Sequence, residues 1–157
     1  MSPWTLQNSK DSALKPVLVD SGVIVALLDR SDPYHAACVA AIENLQNPLV
    51  TCEAVIAESF LLLRDLPGAP EAVLANIENG SFQIPFHLGP GSPSVRRALH
   101  RHKSPPIDFA DACLIAMAED LGTGEILTLD PGFQAYRWDR KPFQLLVLLA
   151  QLSRAAR

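Results

Sequence analysis

Val17-Leu18-Val19-Asp20-Ser21-Gly22-Val23-Ile24-Val25-Ala26-Leu27-Leu28 is the stretch on which the reading of the whole chain turns. Three consecutive branched apolar residues suit a strand buried on both faces, as in a parallel sheet. The run stops on a carboxylate, and Ser21 to about Leu28 then reads as a short helix. The same event recurs downstream. Glu58 interrupts Ala54-Val55-Ile56-Ala57-Glu58-Ser59-Phe60-Leu61-Leu62-Leu63, Asp108 and Asp111 open another apolar stretch, and Asp130 closes Ile126-Leu127-Thr128-Leu129. A carboxylate taken out of water is costly unless paired, protonated or bound to a cation. No lysine or arginine lies in these runs. Acids converging from distant parts of the chain therefore point to a divalent metal site, and ligands that are all oxygen favour Mg²⁺ or Mn²⁺ over zinc.

Working outward, short strands are expected at about 17–19, 48–51, 82–85, 126–129 and 143–147. Helices are expected between them. Asp32-Pro33 reads as a cap and first helical residue for a helix to about Asn44. Others run from about Glu53 to Leu66, from after Gly68-Ala69-Pro70 to about Glu78, from Ser92-Pro93 to about Lys103, and from Asp108 to Leu121, closed by Gly122. Pro90 to Pro93 reads as a loop. Short buried strands alternating with helices imply right-handed crossovers, hence an α/β fold: a three-layer α/β/α sandwich around a parallel sheet of about five strands. In such sheets ligands bind beyond the carboxyl ends of the strands, where Asp20 and Asp130 are expected.

At 157 residues the chain is most simply one domain, and 48% apolar with 19% charged residues excludes a disordered polymer. A net charge of −4 announces no nucleic-acid partner globally, so local charge must carry that case. Cys38, Cys52 and Cys113 form no CxxC pair and are odd in number, which argues against a zinc knuckle or a disulfide framework and for core filling in a reducing cytoplasm. Residues 1–15 contain no apolar core of a secretory signal and read as a polar extension. The domain proper is expected over 16–148, with a short tail over 149–157. The longest apolar run, Phe143 to Leu152, is broken by glutamine and too short to cross a bilayer, so no membrane association is expected.

Each acid has a bland reading. Asp130 precedes Pro131 and could only cap a short helix. Asp108 and Asp111 have the spacing of a capping pair that also favours the helix dipole. Asp20 before Ser21-Gly22 could be an ordinary turn, and Glu58 could lie on a solvated stripe. Glu53, five residues from Glu58, falls on a different helix face and reads as a helix-start residue. The bland readings are jointly strained, because all the acids of the set fall at one end of one sheet.

These same segments carry a family resemblance. Val17 to Leu28 followed by Asp32-Pro33-Tyr34-His35 resembles the opening of PIN domains. Ala54-Val55-Ile56-Ala57-Glu58-Ser59 is similar to their second motif, Pro106-Ile107-Asp108-Phe109-Ala110-Asp111-Ala112 to the third, and Leu127-Thr128-Leu129-Asp130-Pro131-Gly132-Phe133 to the fourth. The resemblance covers about residues 16–148 and extends to the VapC-like toxins of toxin–antitoxin modules. It implies an RNA-cleaving endonuclease dependent on Mg²⁺ or Mn²⁺, in which Asp20, Glu58, Asp111 and Asp130 match the acidic set. Asp108 is a further acid of the subgroup motif, and Ser21 stands where threonine is commoner, keeping the hydroxyl. It also implies a homodimer, formed through apolar faces of the early helices, and a cognate antitoxin.

Asp20 and Asp111 are the expected metal ligands, with Glu58, Asp130 and Asp108 completing the shell or orienting bound water. His35 and His87 are expected to be exposed or structural. The one basic cluster, Arg96-Arg97-Ala98-Leu99-His100-Arg101-His102-Lys103, reads as a helix with Val95, Leu99 and His102 inward. Arg96, Arg97, Arg101 and Lys103 would then form a track for RNA phosphates, with Arg137, Arg140 and Lys141 as a second group. No aromatic residue is interleaved with either cluster, so the linear sequence offers no argument for base stacking. Two other functions compete: a PIN-like RNA- or protein-binding module without nuclease activity, and a nuclease that processes RNA outside any toxin system. An aspartyl phosphatase at Asp20 ranks lower, because Gly22 stands where such chemistry commonly needs a second acid.

Overall fold

The computed structural model describes residues 14–147. The tail over 149–157, and all of the extension but Leu14 and Lys15, lie outside the described residues.

The elements run β1 (Val17–Val19), α1 (Ser21–Leu28), α2 (His35–Glu43), β2 (Leu49–Val50), α3 (Glu53–Leu63), α4 (Ala69–Glu78), α5 (Leu88–Arg101), α6 (Phe109–Leu121), β3 (Glu125–Leu127), a 3₁₀ turn (Pro131–Gln134), a hairpin of β4 (Arg137–Trp138) and β5 (Lys141–Pro142), and β6 (Gln144–Leu145). Four strands form a parallel sheet in the order β2-β1-β3-β6, with Leu18 opposite both Val50 and Ile126. The six helices flank this sheet as the outer layers of an α/β/α sandwich. β1 lies inside the sheet and is wholly buried, which is why its three residues are all apolar. α6 is buried from Ala110 to Ala118 without a break. A helix that is apolar nearly all round belongs inside a domain.

Several boundaries differ from the sequence reading. The expected fifth strand at 82–85 shrinks to one bridge, Gln83 beside Val50, although the backbone bonds Gln83 N–H to Leu49 O (2.9 Å) and Thr51 N–H to Gln83 O (2.8 Å) keep it on the sheet edge. Proline at 85 stops it from continuing. The last strand covers 144–145 rather than 143–147. α2 starts at His35, because Asp32 spends its Oδ1 accepting from Tyr34 N–H in a turn instead of capping a helix.

The largest correction is α5. Pro90 to Pro93 is helical rather than looped, and the helix begins at Leu88. Pro90 falls among the first N–H groups, which have no intrahelical partner in any helix and so lose nothing. Pro93 is inside, but the carbonyl it leaves without a donor belongs to exposed Gly89. The inward stripe shifts as well: Val95 and Ala98 are buried, whereas Leu99 is 38% exposed.

The hairpin β4–β5 had no sequence forecast. Its turn residues Asp139 and Arg140 both take positive φ, 45° and 67°, the mirror-image turn that matches strand twist. Its anchor is Trp138, whose indole N–H donates to Pro142 O (3.2 Å). The indole packs so closely on Gly124 that a Cβ there would collide with it.

Candidate active site

Asp20 ends β1 and caps α1. Its Oδ1 accepts from Ser21 N–H (2.7 Å) and its Oδ2 from the Thr128 hydroxyl (2.9 Å). The Thr128 oxygen accepts in turn from Asp130 N–H (3.0 Å), and Asp130 Oδ1 accepts from Gly132 N–H (2.8 Å) as cap of the 3₁₀ turn. One hydroxyl thus ties two acids across neighbouring strands. Asp108 caps α6 by accepting from Asp111 N–H (2.8 Å). On α3, Glu58 Oε2 accepts from the Ser21 hydroxyl (3.0 Å). The capping reading is thus realised for Asp20, Asp108 and Asp130, and the same caps hold these acids at the carboxyl end of the sheet.

Their electrostatics show the convergence. Asp111 is 7% exposed, and burial, reinforced by the charges of Asp20, Asp108, Asp130 and Glu58, pushes its carboxyl up to about 8. Burial also raises Asp20, against the opposing hydrogen bonds from Ser21 and Thr128 and with the charges of Asp130 and Asp108 adding to the rise. Glu58 is raised by burial first and by Asp108 and Asp20 after it. Among the described residues the only ion pairs are Arg64–Asp65 and Arg101–Glu119, so no cation offsets the five acids. All five sequence-selected carboxylates are brought to the carboxyl end of the sheet.

Does this set fit a divalent cation? As placed, no three acidic, histidine or cysteine side chains among the described residues surround one point closely enough to hold an ion. The donor chemistry nevertheless fits. It is all oxygen, one carboxylate oxygen of Glu58, Asp108, Asp111 and Asp130 is free of protein hydrogen bonds among the described residues, and the mutual repulsion is what a hard cation relieves.

Sequence reasoning missed two participants. Thr128 was detectable, as a hydroxyl in an apolar strand two residues before an acid. Tyr136 was not: its hydroxyl donates to Asp111 Oδ2 (3.4 Å), and burial with the neighbouring acids pushes its phenol up to about 12. The ring stands edge-on to His102 and Phe133, each 5.1 Å away between centroids. His102 sits between Arg101 and Arg137, whose charges add to burial in lowering its imidazole. Thus the C-terminal end of α5 and the start of the hairpin meet beside the acids. Arg96, Arg97, His100 and Arg101 line an open basin of about 500 Å³, and Lys103 is exposed on the loop leading to Asp108. His35 is structural, its Nδ1 lying 2.7 Å from Ala26 O.

The parallel sheet with carboxylates at its carboxyl edge defines an α/β fold of the class that binds ligands at that edge. The comparisons are sharper. Residues 17–139 match the PIN domain, and the chain belongs to that family. Ribonuclease VapC26 of Mycobacterium tuberculosis is 28% identical over 116 residues, covering 73% of this chain and 86% of that protein. The crystal structure of M. tuberculosis VapC20, a toxin that cleaves the sarcin–ricin loop, superposes with a TM-score of 0.70 at 20% identity. That match covers 80% of this chain and 98% of the VapC20 chain, and establishes a shared fold.

Proposed function

We propose that this chain is an endoribonuclease that hydrolyses RNA phosphodiesters with Mg²⁺ or Mn²⁺, and that it serves as the toxin of a toxin–antitoxin pair. The observation that carries the reading is the gathering of Asp20, Glu58, Asp108, Asp111 and Asp130 without a cationic partner among the described residues. Asp20 and Asp111 would be the principal ligands, with Glu58, Asp130 and Asp108 around them. A bound cation would activate water and stabilise charge developing on the phosphate. The chain's own contribution is orientation: Ser21 and Thr128 lock Asp20, Tyr136 steadies Asp111, and the Ser21 hydroxyl holds Glu58 beside them. The name of VapC26 and the toxin activity of VapC20 support the ribonuclease and toxin assignments.

Arg96, Arg97, Arg101 and Lys103 would guide the RNA backbone towards the acids, with Arg137 at the junction. Arg101 is partly held by Glu119, 3.5 Å away, while Arg97 bonds only to Ser94 Oγ (2.8 Å) among the described residues. An antitoxin would cover the acidic pocket with a basic side chain. Exposed Leu61, Leu62 and Leu74, on α3 and α4, are the apolar surface available for a homodimer. Among the described residues no helix is long and apolar enough to cross a membrane. The decisive experiment is cleavage of single-stranded RNA with Mg²⁺ and with excess EDTA. Cleavage should stop in EDTA and return with added Mg²⁺ or Mn²⁺; equal cutting in both conditions would overturn the metal mechanism.

A further inference from the structure

Resting on the ribonuclease reading, we infer that a cleft beside the acids takes one unpaired nucleobase of the RNA, with guanine preferred, and so sets where the chain is cut. The cleft, about 430 Å³, opens between the N-termini of α3 and α6 and the segment before α5, and Cys52, Glu53, Phe86, His87, Phe109 and Cys113 line it. That volume lies within the range of small-molecule sites.

The chemistry of the walls selects the occupant. Phe109 directly follows Asp108 and is 49% exposed, an apolar ring that packing has not claimed. Phe86 faces the same space and is held from behind: Gly91 of α5 leaves room for its ring, and a Cβ there would come within 2.5 Å of Cε2. The floor is formed by the buried thiols Cys52 and Cys113. Two rings over an apolar floor form a stacking site, the commonest means by which proteins hold splayed-out RNA bases. Among the described residues no lysine or arginine lines the cleft, and the Glu53 carboxylate at the start of α3 repels the phosphate that the helix N-termini would otherwise attract. A carboxylate there accepts hydrogen bonds, and guanine alone among the four bases presents an imino and an amino N–H side by side. Because Phe109 directly follows Asp108, whose charge reaches Cys113 in the cleft, a base seated there leaves the adjoining phosphodiester at the Asp108 end of the carboxylates.

The test uses short single-stranded RNAs carrying thienoguanosine, a fluorescent guanine analogue that keeps the imino and amino N–H groups, at one position, titrated with the full chain in EDTA and again in MgCl₂. Quenching reports stacking and does not depend on cutting. The wild type should quench, and Phe109→Ala should weaken binding roughly five- to a hundredfold, as expected for the removal of one stacking partner. In cleavage assays the same variant should raise KM with kcat little changed. In competition, RNAs with guanine at the seated position should bind most tightly, and Glu53→Gln should erode that preference. Quenching that persists without cleavage would support the cleft while sinking the nuclease reading. No quenching by the wild type under either condition, or equal quenching and affinity in Phe109→Ala, would overturn the cleft, and a base preference untouched by Glu53→Gln would overturn guanine selection.

Discussion

The acidic pocket and the basic face of α5 are the two charged regions of this molecule, and they are built on opposite principles. Asp20 and Asp111 are 6% and 7% exposed, and the acids are tied to backbone N–H groups or to hydroxyls. The guanidinium groups of Arg96 and Arg97 lie in solvent, and the ion pair of the cluster, Arg101 with Glu119, is loose at 3.5 Å. Buried like charges raise the energy of the folded state and are held in place by the fold. Exposed charges cost the fold almost nothing and act through long-range attraction that salt screens. The first arrangement fixes carboxylates by capping and hydroxyl bonds, whereas the second leaves its charges free to act at long range.

The contrast is broken most directly at the acids. Asp20→Asn or Asp111→Asn should lower RNA cleavage on the order of a hundredfold or more, exceeding the usual 10–100-fold effect of residues that merely support a metal ligand. Circular dichroism should show an intact fold. Wild-type turnover by either folded variant would make these residues caps and nothing else.

Next in size is the pH dependence of the metal-free protein. Asp111 has a folded-state value of about 8, far above its ordinary range, so the folded state holds this proton more tightly than the unfolded state. The associated stability is complete below the unfolded value near 4, falls as pH rises through the window up to about 8, and stays low above it. Asp111→Asn should therefore flatten this decline and stabilise the apo protein by about 2 kcal/mol at pH 8, a few degrees in Tm. Thermal melts of both proteins from pH 4 to 9 in EDTA measure it, and a wild type with no decline over that range would show the acids to be unstrained. Mg²⁺ should stabilise the wild type more than the variant.

A smaller effect is expected at the bridge between strands. Thr128→Val keeps the shape but removes the hydroxyl shared by Asp20 and Asp130, leaving a buried carboxylate oxygen without its donor. It should cost about 1–3 kcal/mol in urea unfolding and reduce cleavage through misoriented Asp20, whereas Thr128→Ser should restore both. Failure of serine to rescue would assign the effect to packing.

The smallest change belongs to the basic face. Replacing Arg96, Arg97 and Arg101 by glutamine should leave Tm and metal affinity nearly unchanged. RNA affinity should fall about equally on all sequences, and the log–log salt dependence should flatten by roughly 0.7 for each single-strand phosphate that is no longer neutralised. Titration of RNA against the triple variant over a salt series reads this directly. An unchanged slope would return the face to ordinary solvation and move the track to Arg137, Arg140 and Lys141.

The sequence by itself determined the α/β order of most elements and the positions of the acids at their ends. Val17-Leu18-Val19 can only be buried, a run of this kind ending in Asp20 places a carboxylate at a strand end, and Gly122 takes the left-handed φ of 66° that closes α6. Asp20 and Asp111 were legible because a carboxylate is costly to bury; Asp108 and Asp130 are exposed and were legible as helix caps. What only the tertiary structure decided was how weak local signals resolve when several elements compete for one space. Pro90 and Pro93 look like a loop until α5 packs on α6 and supplies the stabilisation that propensity withholds. Thr128 and Tyr136 become part of the site only because neighbouring strands and the hairpin bring them to Asp20 and Asp111, 108 and 25 residues away in sequence. Phe86 and Phe109 carry no signal in a linear reading, since neither lies in a basic cluster, and they face one cleft only once α3, α5 and α6 are assembled. Local sequence sets which groups can be buried or bent; the meeting of distant groups is settled by packing, because no local preference encodes a contact across the sheet.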